Sequence, residues 1–496
     1  MNEKYVLAID QSTAGTKALL FADTGELKGR ADRPHRQIIN DLGWVEHDPQ
    51  EILKNMYEVV RDVVAKTGID KSLIAAVGIS NQRETALAWD AHTGKPVYNA
   101  IVWQCSRGED ICKRIAAAGH SELIRTTTGL QLSPYFSAAK LAWILENVPA
   151  AGTAAREGNL RCGNIDSWLI FNLTHGRNFR TDYSNASRTQ LLNLHELKWD
   201  ETICGLFSLT PSMLPEVCDS NSLFGETDFG GFLDRSIPIH GVMGDSHGAL
   251  FGQGCLEPGM IKSTYGTGSS VMMNIGSKPI FTDIGIVTSI AWGMDGVVNY
   301  VLEGNINYTG AVMKWIVDDL GLLASAKDAP EVAAGANPND ETYLVPAFSG
   351  LGAPYWESSA KAVICNMSRN TGKAEIVRAA EECIAYQIAD IIALMSRASG
   401  IELQELRVDG GATRDQYLMQ FQSDILNMTV QVAATEELSG VGAAYAAGIA
   451  VGIFGPDIFS KMSRKAYTPV ITPMLRAKRC DGWKKSVDMV LGRAQS

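Results

Sequence analysis

The sequence predicts an α/β protein built as two domains that face each other across a cleft. Three observations carry this. A chain of 496 residues exceeds what one hydrophobic core usually organises. Short apolar strand patterns alternate with helical ones. A turn rich in glycine and hydroxyl side chains, set after a strand, returns early in each half. The predicted boundary lies near residue 250, dividing 1–250 from 251–496.

The elements follow in order. Tyr5–Asp10 reads as a strand and Lys17–Ala22 as the next, joined by a tight hairpin containing Ser12, Thr13, Gly15 and Thr16. Asp48-Pro49-Gln50-Glu51 reads as a helix start, with Asp48 as the cap, Pro49 in the first turn and Glu51 completing a capping-box-like pattern. Glu46, His47 and Asp48 are therefore structural punctuation rather than a metal site. Ile74–Ser80 is another strand, ending at Asn81-Gln82-Arg83-Glu84. A second strand–turn–strand theme spans residues 240–268, through GDSHGALFGQG and STYGTG. Leu406–Ala412 is a strand leading into a diglycine turn, and Val441–Gly455 is helical. That last run is too short and too rich in small residues to span a membrane.

Composition narrows the function. Hydrophobic residues at 46% and charged residues at 20% describe an ordinary globular chain. A formal net charge of −11 argues against nucleic-acid and anionic-membrane partners, which recruit basic surfaces. It leaves ATP open, because a local cluster of amides, a lysine and a divalent cation can hold phosphates within an acidic protein. The nine cysteines show no CxxC spacing, which suits free thiols in a reducing compartment. With no signal-peptide pattern at the start, a cytoplasmic location is expected.

The chain has no GxxxxGK[ST] loop, no HRD and DFG pair, and no convincing GxGxxG after a strand. Three turns offer another phosphate scheme. In Asp10–Lys17, a carboxylate at a strand end can hold hydrated Mg²⁺, the turn exposes amides and hydroxyls, and Lys17 adds a positive charge. Tyr265-Gly266-Thr267-Gly268 can grip phosphates from the opposite half. Asp409-Gly410-Gly411 lets an adenine or ribose approach the backbone. Each alone is little more than a turn; their order and separations together point to nucleotide handling.

Those turns, with GWVEHDP (43–49), NQRET (81–85), YNAIVWQC (98–105), TDYSNASRT (181–189), VPAFSGLGAPYW (345–356), LMQFQSDIL (418–426) and the segment Tyr135–Trp143, resemble the FGGY carbohydrate kinases, and within them the glycerol kinases, along nearly the whole chain. The resemblance implies two actin/hexokinase-like (ribonuclease H-like) domains. The N-terminal one would carry the polyol pocket and first phosphate turn, and the C-terminal one would bind the nucleotide. It implies ATP and Mg²⁺ as cofactors and a small polyol or sugar as substrate. Asp245 would be the general base, since an aspartate can both orient a hydroxyl and accept its proton. Asp10 would face the magnesium. Ser12, Thr13, Lys17, Gly266, Thr267, Gly310, Gly411 and Asp415 would contact ATP. Arg83, Glu84, Trp103, Tyr135, Ser246 and Ser270, with Asp245, would form the polyol pocket. There Arg83 and Glu84 would bond neighbouring hydroxyls and the rings would cover the carbon chain. The expected assembly is a homodimer or homotetramer.

The chain departs from the family pattern at informative places. Ser246 stands where glycerol kinases usually have glutamine, and Ser270 where they usually have a pocket phenylalanine. Ser12 replaces a phosphate-turn glycine, Asp415 an asparagine, and Ala362 and Asn366 common glycines. Gly230–Arg235 differs from the arginine loop that binds fructose bisphosphate, so that regulation is not carried over. The small serines predict an enlarged pocket favouring a four- or five-carbon substrate such as xylulose, erythritol or erythrulose. True glycerol kinase activity is the alternative, and a non-catalytic, ATP-switched actin-like protein is the alternative of another class.

Overall fold

The computed structural model, which describes residues 3–494, is a mixed α/β molecule with two central sheets. The first contains β1 (Tyr5–Gln11), β2 (Gly15–Ala22), β3 (Leu27–Pro34), β4 (Ile74–Asn81), β5 (Gly225–Thr227) and β6 (Ile237–Gly244), in the order β5-β6-β4-β1-β2-β3. The second contains β7 (Ile261–Tyr265), β8 (Ser269–Gly276), β9 (Val287–Met294), β10 (Val297–Ile306), β11 (Glu405–Asp409), β12 (Thr429–Ala433) and β13 (Arg464–Tyr467), in the order β9-β10-β8-β7-β11-β12-β13.

The two sheets repeat one plan. In each, the first strand pairs antiparallel with its hairpin partner on one side and parallel with a later strand on the other: β1 with β2 and β4, β7 with β8 and β11. A second parallel strand follows in both, β6 on β4 and β12 on β11. The β1–β2 and β7–β8 turns therefore occupy equivalent positions. β1 is buried along its whole length, as expected of a strand covered on both faces.

Helix α1 (Pro49–Thr67) starts as its sequence predicts, with the Asp48 carboxylate accepting from Gln50 N–H and Pro49 in the first turn. Glu51 does not complete a capping box. Its carboxylate accepts from Arg36 N–H at 3.3 Å instead, because the connection that follows β3 runs within reach. Nor is 240–268 a simple strand–turn–strand. Helix α2 (Asp245–Gly252) intervenes between β6 and β7, carrying the chain from the first sheet to the second and placing Asp245 in a first helical turn. The long helix α3 (Lys373–Ser399) packs on the second sheet. The predicted 441–455 helix, α4, instead spans Leu438–Ala450, since Gly452 turns to φ +70° and ends the run.

α2 and α4 lie between the sheets, and α4, from the second half of the chain, packs on β1, β4 and β6. Their backbones touch at glycines: a Cβ on Gly442 would sit 1.9 Å from the Gly248 carbonyl oxygen. A buried cluster around them joins Val6, Phe21 and Leu250 to Met272, Trp292 and Tyr445. A third, five-stranded sheet carries Ala86–Asp90 and Ala100–Ile101; Arg83 and Glu84 come just before the first of these strands and Trp103 just after the second. Glu46 stabilises this layer, accepting from Tyr98 Oη at 2.8 Å and Asn99 Nδ2 at 2.7 Å and pairing with Arg107 at 2.7 Å. Among the described residues no helix is long and apolar enough to cross a membrane.

Candidate active site

Two cavities open at the β7–β8 turn, and the first also reaches Thr13 in the β1–β2 turn. The first holds about 580 Å³ and is lined by Thr13, Arg83, Glu84, Trp103, Tyr135, Asp245, Ser246, Thr267 and Ser270. Arg83 and Glu84 follow the end of β4. Glu84 sits at φ +60°, a left-handed conformation that costs a non-glycine residue energy and recurs at functional positions. Trp103 and Tyr135 meet edge-on, ring centroids 5.6 Å apart at 62°, forming an aromatic wall. Trp103 Nε1 donates to Thr13 Oγ1 at 2.9 Å, so this wall is bonded to the β1–β2 turn.

Asp245 opens α2 with its side chain 34% exposed to the cavity. Its Oδ1 accepts from Arg83 Nε at 3.1 Å and from Ser246 N–H at 2.6 Å. Behind it runs a buried chain of charges. Arg83 Nη1 and Nη2 donate to Glu303 Oε2 and Oε1 at 2.9 and 3.0 Å. Arg188 Nη1 reaches Glu303 at 2.9 Å, and its Nε donates to Glu84 Oε1 at 2.5 Å. Burial alone would raise the Glu303 carboxyl, but Arg188 and Arg83 beside it hold it well below the usual carboxylate range.

The second cavity, about 460 Å³, is lined by Gly266, Thr267, Gly310, Lys314, Trp315 and Gly411, among others. Gly310 is held close, since a Cβ there would lie 2.9 Å from the Gly266 carbonyl oxygen. Gly411 has nothing within 4 Å of a built Cβ, which leaves that face open to a ligand. Thr267 lines both cavities, so the two spaces meet at the β7–β8 turn.

The remaining predicted residues, Asp10, Ser12, Lys17 and Asp415, line neither cavity. Ser12 Oγ closes its own turn on Gly15 O at 3.0 Å. Lys17 bonds Glu437 at 2.7 Å and lies 3.8 Å from Asp10. Asp415 caps the Gln416–Leu426 helix, accepting from Leu418 N–H at 2.8 Å. It also faces Glu381, whose carboxyl is pushed up to about 10 by burial and by Asp415 itself. Asp10 is 5% exposed at the end of β1, and burial pushes its carboxyl up to about 6 despite Lys17. Its Oδ1 has no hydrogen-bond partner. A buried carboxylate oxygen without a donor, beside a glycine- and hydroxyl-rich turn, suits a hydrated divalent cation.

The fold thus brings Arg83, Glu84, Trp103, Tyr135, Asp245, Ser246 and Ser270 into one cavity, and Gly266, Thr267, Gly310 and Gly411 into its neighbour. The sequence patterns assign no role to Glu303 or Arg188. Arg188 lies inside the TDYSNASRT stretch, and Glu303 is an acid set in the apolar strand VVNYVLEGNI, a local sign of a charge that must find a partner in the interior.

Residues 5–252 match the N-terminal domain, and residues 261–451 the C-terminal domain, of the FGGY family of carbohydrate kinases. Glycerol kinase 1 of Thermotoga maritima is 48% identical over 490 residues, covering 98% of this chain and 99% of that protein. Glycerol kinase of Chromobacterium violaceum is 50% identical, covering 98% of each chain. Among solved structures, Plasmodium falciparum glycerol kinase with ADP superposes with a TM-score of 0.94 at 36% identity over 98% of both chains. Xylulose kinase of Lactobacillus acidophilus shares the fold, with a TM-score of 0.87 at 21% identity over 99% of each chain.

Proposed function

Because the chain belongs to the FGGY family of carbohydrate kinases, as an ATP-dependent kinase acting on an alcohol, we propose that it transfers the γ-phosphoryl group of ATP to a terminal hydroxyl of glycerol. Relatives named glycerol kinase run the length of the chain at 44–50% identity, which favours this acceptor over the four- and five-carbon substrates that the two serines suggest.

The observation that carries the chemistry is Asp245, held by a single bond from Arg83 at the floor of a cavity that joins the glycine-lined one at Thr267. In this reading Arg83 and Glu84 orient adjacent hydroxyls, and Trp103 and Tyr135 cover the carbon chain. As the acceptor oxygen bonds to the γ-phosphorus and the bond to the bridging oxygen breaks, Asp245 takes the hydroxyl proton. The β1–β2 and β7–β8 turns present amides and hydroxyls to the phosphates from opposite sides, and Gly411 admits the nucleoside. Asp10 would hold Mg²⁺, which when bound neutralises phosphate charge. An ATP-driven switch has no use for such an acceptor pocket. The nine cysteines are all free, which supports a reducing, cytoplasmic setting.

A second reading rests on Ser246 and Ser270. Both line the acceptor cavity, and their small side chains leave it room for a longer polyol or ketose. Initial rates with ATP and a panel of glycerol, dihydroxyacetone, erythritol, erythrulose, xylulose and ribulose decide between the two. Glycerol leading in kcat/KM supports the first reading, a four- or five-carbon compound leading supports the second, and no turnover of any removes both.

A further inference from the structure

Arg83 and Arg188, both in the first half of the chain, converge on one carboxylate supplied by the other. Glu303 lies on β10 of the second sheet and is 1% exposed. Arg83 donates to it from both terminal nitrogens, Arg188 Nη1 lies 2.9 Å away as an ion pair, and the carboxylate's only other hydrogen-bond partner besides Arg83 among the described residues is Ser270 Oγ, at 3.4 Å. We propose that Glu303 is a positioning residue for phosphoryl transfer, fixing across the cleft the two guanidiniums that aim Asp245 and Glu84 at the acceptor. The inference rests on the reading of Asp245 as the base and of Arg83 and Glu84 as acceptor contacts.

A guanidinium is planar, and its donors point in fixed directions. With Nη1 and Nη2 committed to Glu303, Arg83 offers Asp245 only Nε. Asp245 Oδ1 accepts that bond, and Oδ2 keeps no protein donor among the described residues, so it is open to a proton from the acceptor. Remove Glu303 and the one carboxylate that Arg83 still hydrogen-bonds among the described residues is Asp245 itself. Fork-to-fork pairing is the preferred geometry of such a pair, and it would occupy both oxygens of the base. Arg188 meets the same carboxylate more loosely, through one ion pair at 2.9 Å. With one terminal nitrogen on Glu303, its Nε meets Glu84, which anchors that residue's left-handed turn.

Glu303 also differs from an ordinary buried counter-ion in where it comes from. Arg83, Arg188, Glu84 and Asp245 all precede β7, whereas Glu303 belongs to the second sheet. The acceptor groups are therefore aligned only while the two sheets hold their present relation. A purely structural ion pair would affect how much protein folds, and not the acceptor constants of each folded molecule.

The test compares wild type, Asp245→Asn, Glu303→Gln and Glu303→Asp by two-substrate kinetics normalised to active protein. Glu303→Gln should lower kcat about a hundredfold and raise the polyol KM severalfold, with the ATP KM within about twofold of wild type, as misplacement of reacting groups does. Glu303→Asp keeps the buried charge and should recover about tenfold of the lost kcat. If Glu303→Gln fails to fold, Glu303→Asp decides alone, through a raised polyol KM beside an unchanged ATP KM. Wild-type kcat and polyol KM in either folded variant, or polyol and ATP KM rising together, would overturn the inference. If wild type turns over no polyol, or Asp245→Asn keeps full turnover, the functional reading and this inference fall together. If both of those hold and only the Glu303 variants behave as wild type, the positioning role alone falls.

Discussion

Trp103 Nε1 and Thr13 Oγ1 share a 2.9 Å hydrogen bond that ties the aromatic wall of the acceptor cavity to the β1–β2 turn. A hydrogen-bond donor on the ring proposed to cover the acceptor thus helps fix the turn proposed to face phosphate. Binding on one side of the cleft should be felt on the other through this contact.

Trp103→Phe keeps an aromatic surface and removes only the donor. Losing one such bond is worth about 0.5–1.5 kcal/mol, or roughly two- to tenfold in a constant. Both the polyol KM and the ATP KM should rise within that range. Steady-state kinetics over a grid of both substrates checks this. A change confined to the polyol constant would show that the bond is local packing.

Asp245→Asn keeps the shape of the side chain and its ability to accept from Arg83, but the amide no longer takes a proton. Turnover should fall by about 10²–10⁴-fold, the usual contribution of a positioned base. The ATP KM should hardly move, because the glycine-lined cavity contains none of the atoms changed. Single-turnover rates measure the effect free of product release, and near-normal rates would remove Asp245 from the base role.

The contrast between these residues shows what the sequence makes legible. The two phosphate-type turns are readable because glycine and hydroxyl residues clustered after an apolar strand mark a tight turn by local chemistry alone. Their equivalence emerges only from the pairing of β1 with β2 and of β7 with β8, which form matching hairpins. Asp245 reads locally as an N-cap or turn residue; it is the first residue of a helix capped by Gly244. That helix has only eight residues, and the glycines within DSHGALFG and at its cap give it the pattern of a turn. Glu303 is not legible as a partner of Arg83, because their pairing spans 220 positions and no local periodicity encodes it. Likewise, nothing in the spacing of α4 says that a helix from the second half packs on the first sheet. That contact depends on Gly78 of β4 and Gly241 of β6 admitting the Ala443 carbonyl, which only the assembled fold brings about.

Asp10 gives a pH prediction with a defined sign. Its carboxyl is raised from 3.8 to about 6, by burial first and with Lys17 opposing. Between those values the folded protein keeps a proton that the unfolded chain has released, so this group's contribution to stability falls as pH rises from about 4 to 6. Above that window the metal-free protein carries a buried charge with an unpartnered oxygen. Asp10→Asn should therefore be more stable than wild type at pH 7.5 without magnesium, by about 1–3 kcal/mol, and the advantage should vanish near pH 4. Urea unfolding of both proteins at several pH values measures it. Because a proton and a cation compete for the same oxygen, Mg²⁺ affinity in the presence of a non-hydrolysable ATP analogue should weaken in wild type below about pH 6. Calorimetric titrations at pH 7.5 and 5.0 giving equal affinities would argue against a metal at Asp10.

Ser246 and Ser270 bear on which acceptor the cavity prefers. Both line it, Ser246 directly after the proposed base and Ser270 within reach of Glu303 at 3.4 Å. A glutamine and a phenylalanine at these positions would fill space that two serines leave open. For a three-carbon ligand, the smaller pair forgoes one amide partner and part of a ring contact, together about 1–3 kcal/mol. That is roughly tenfold to a hundredfold in kcat/KM, enough to reorder substrates without abolishing glycerol turnover. The Ser246→Gln, Ser270→Phe double variant should therefore raise kcat/KM for glycerol and lower it for erythritol, erythrulose, xylulose and ribulose, whose extra carbons would meet the new ring. The size of the change identifies the native acceptor. If wild type already favours glycerol by an order of magnitude and the double variant gains little, the serines are neutral within a glycerol kinase. If wild type favours a longer acceptor and the double variant reverses that order, the two serines are the residues that shift the substrate away from glycerol. A double variant that improves every acceptor equally would show that the added side chains act on the base or the nucleotide, and that the cavity's volume does not select the substrate.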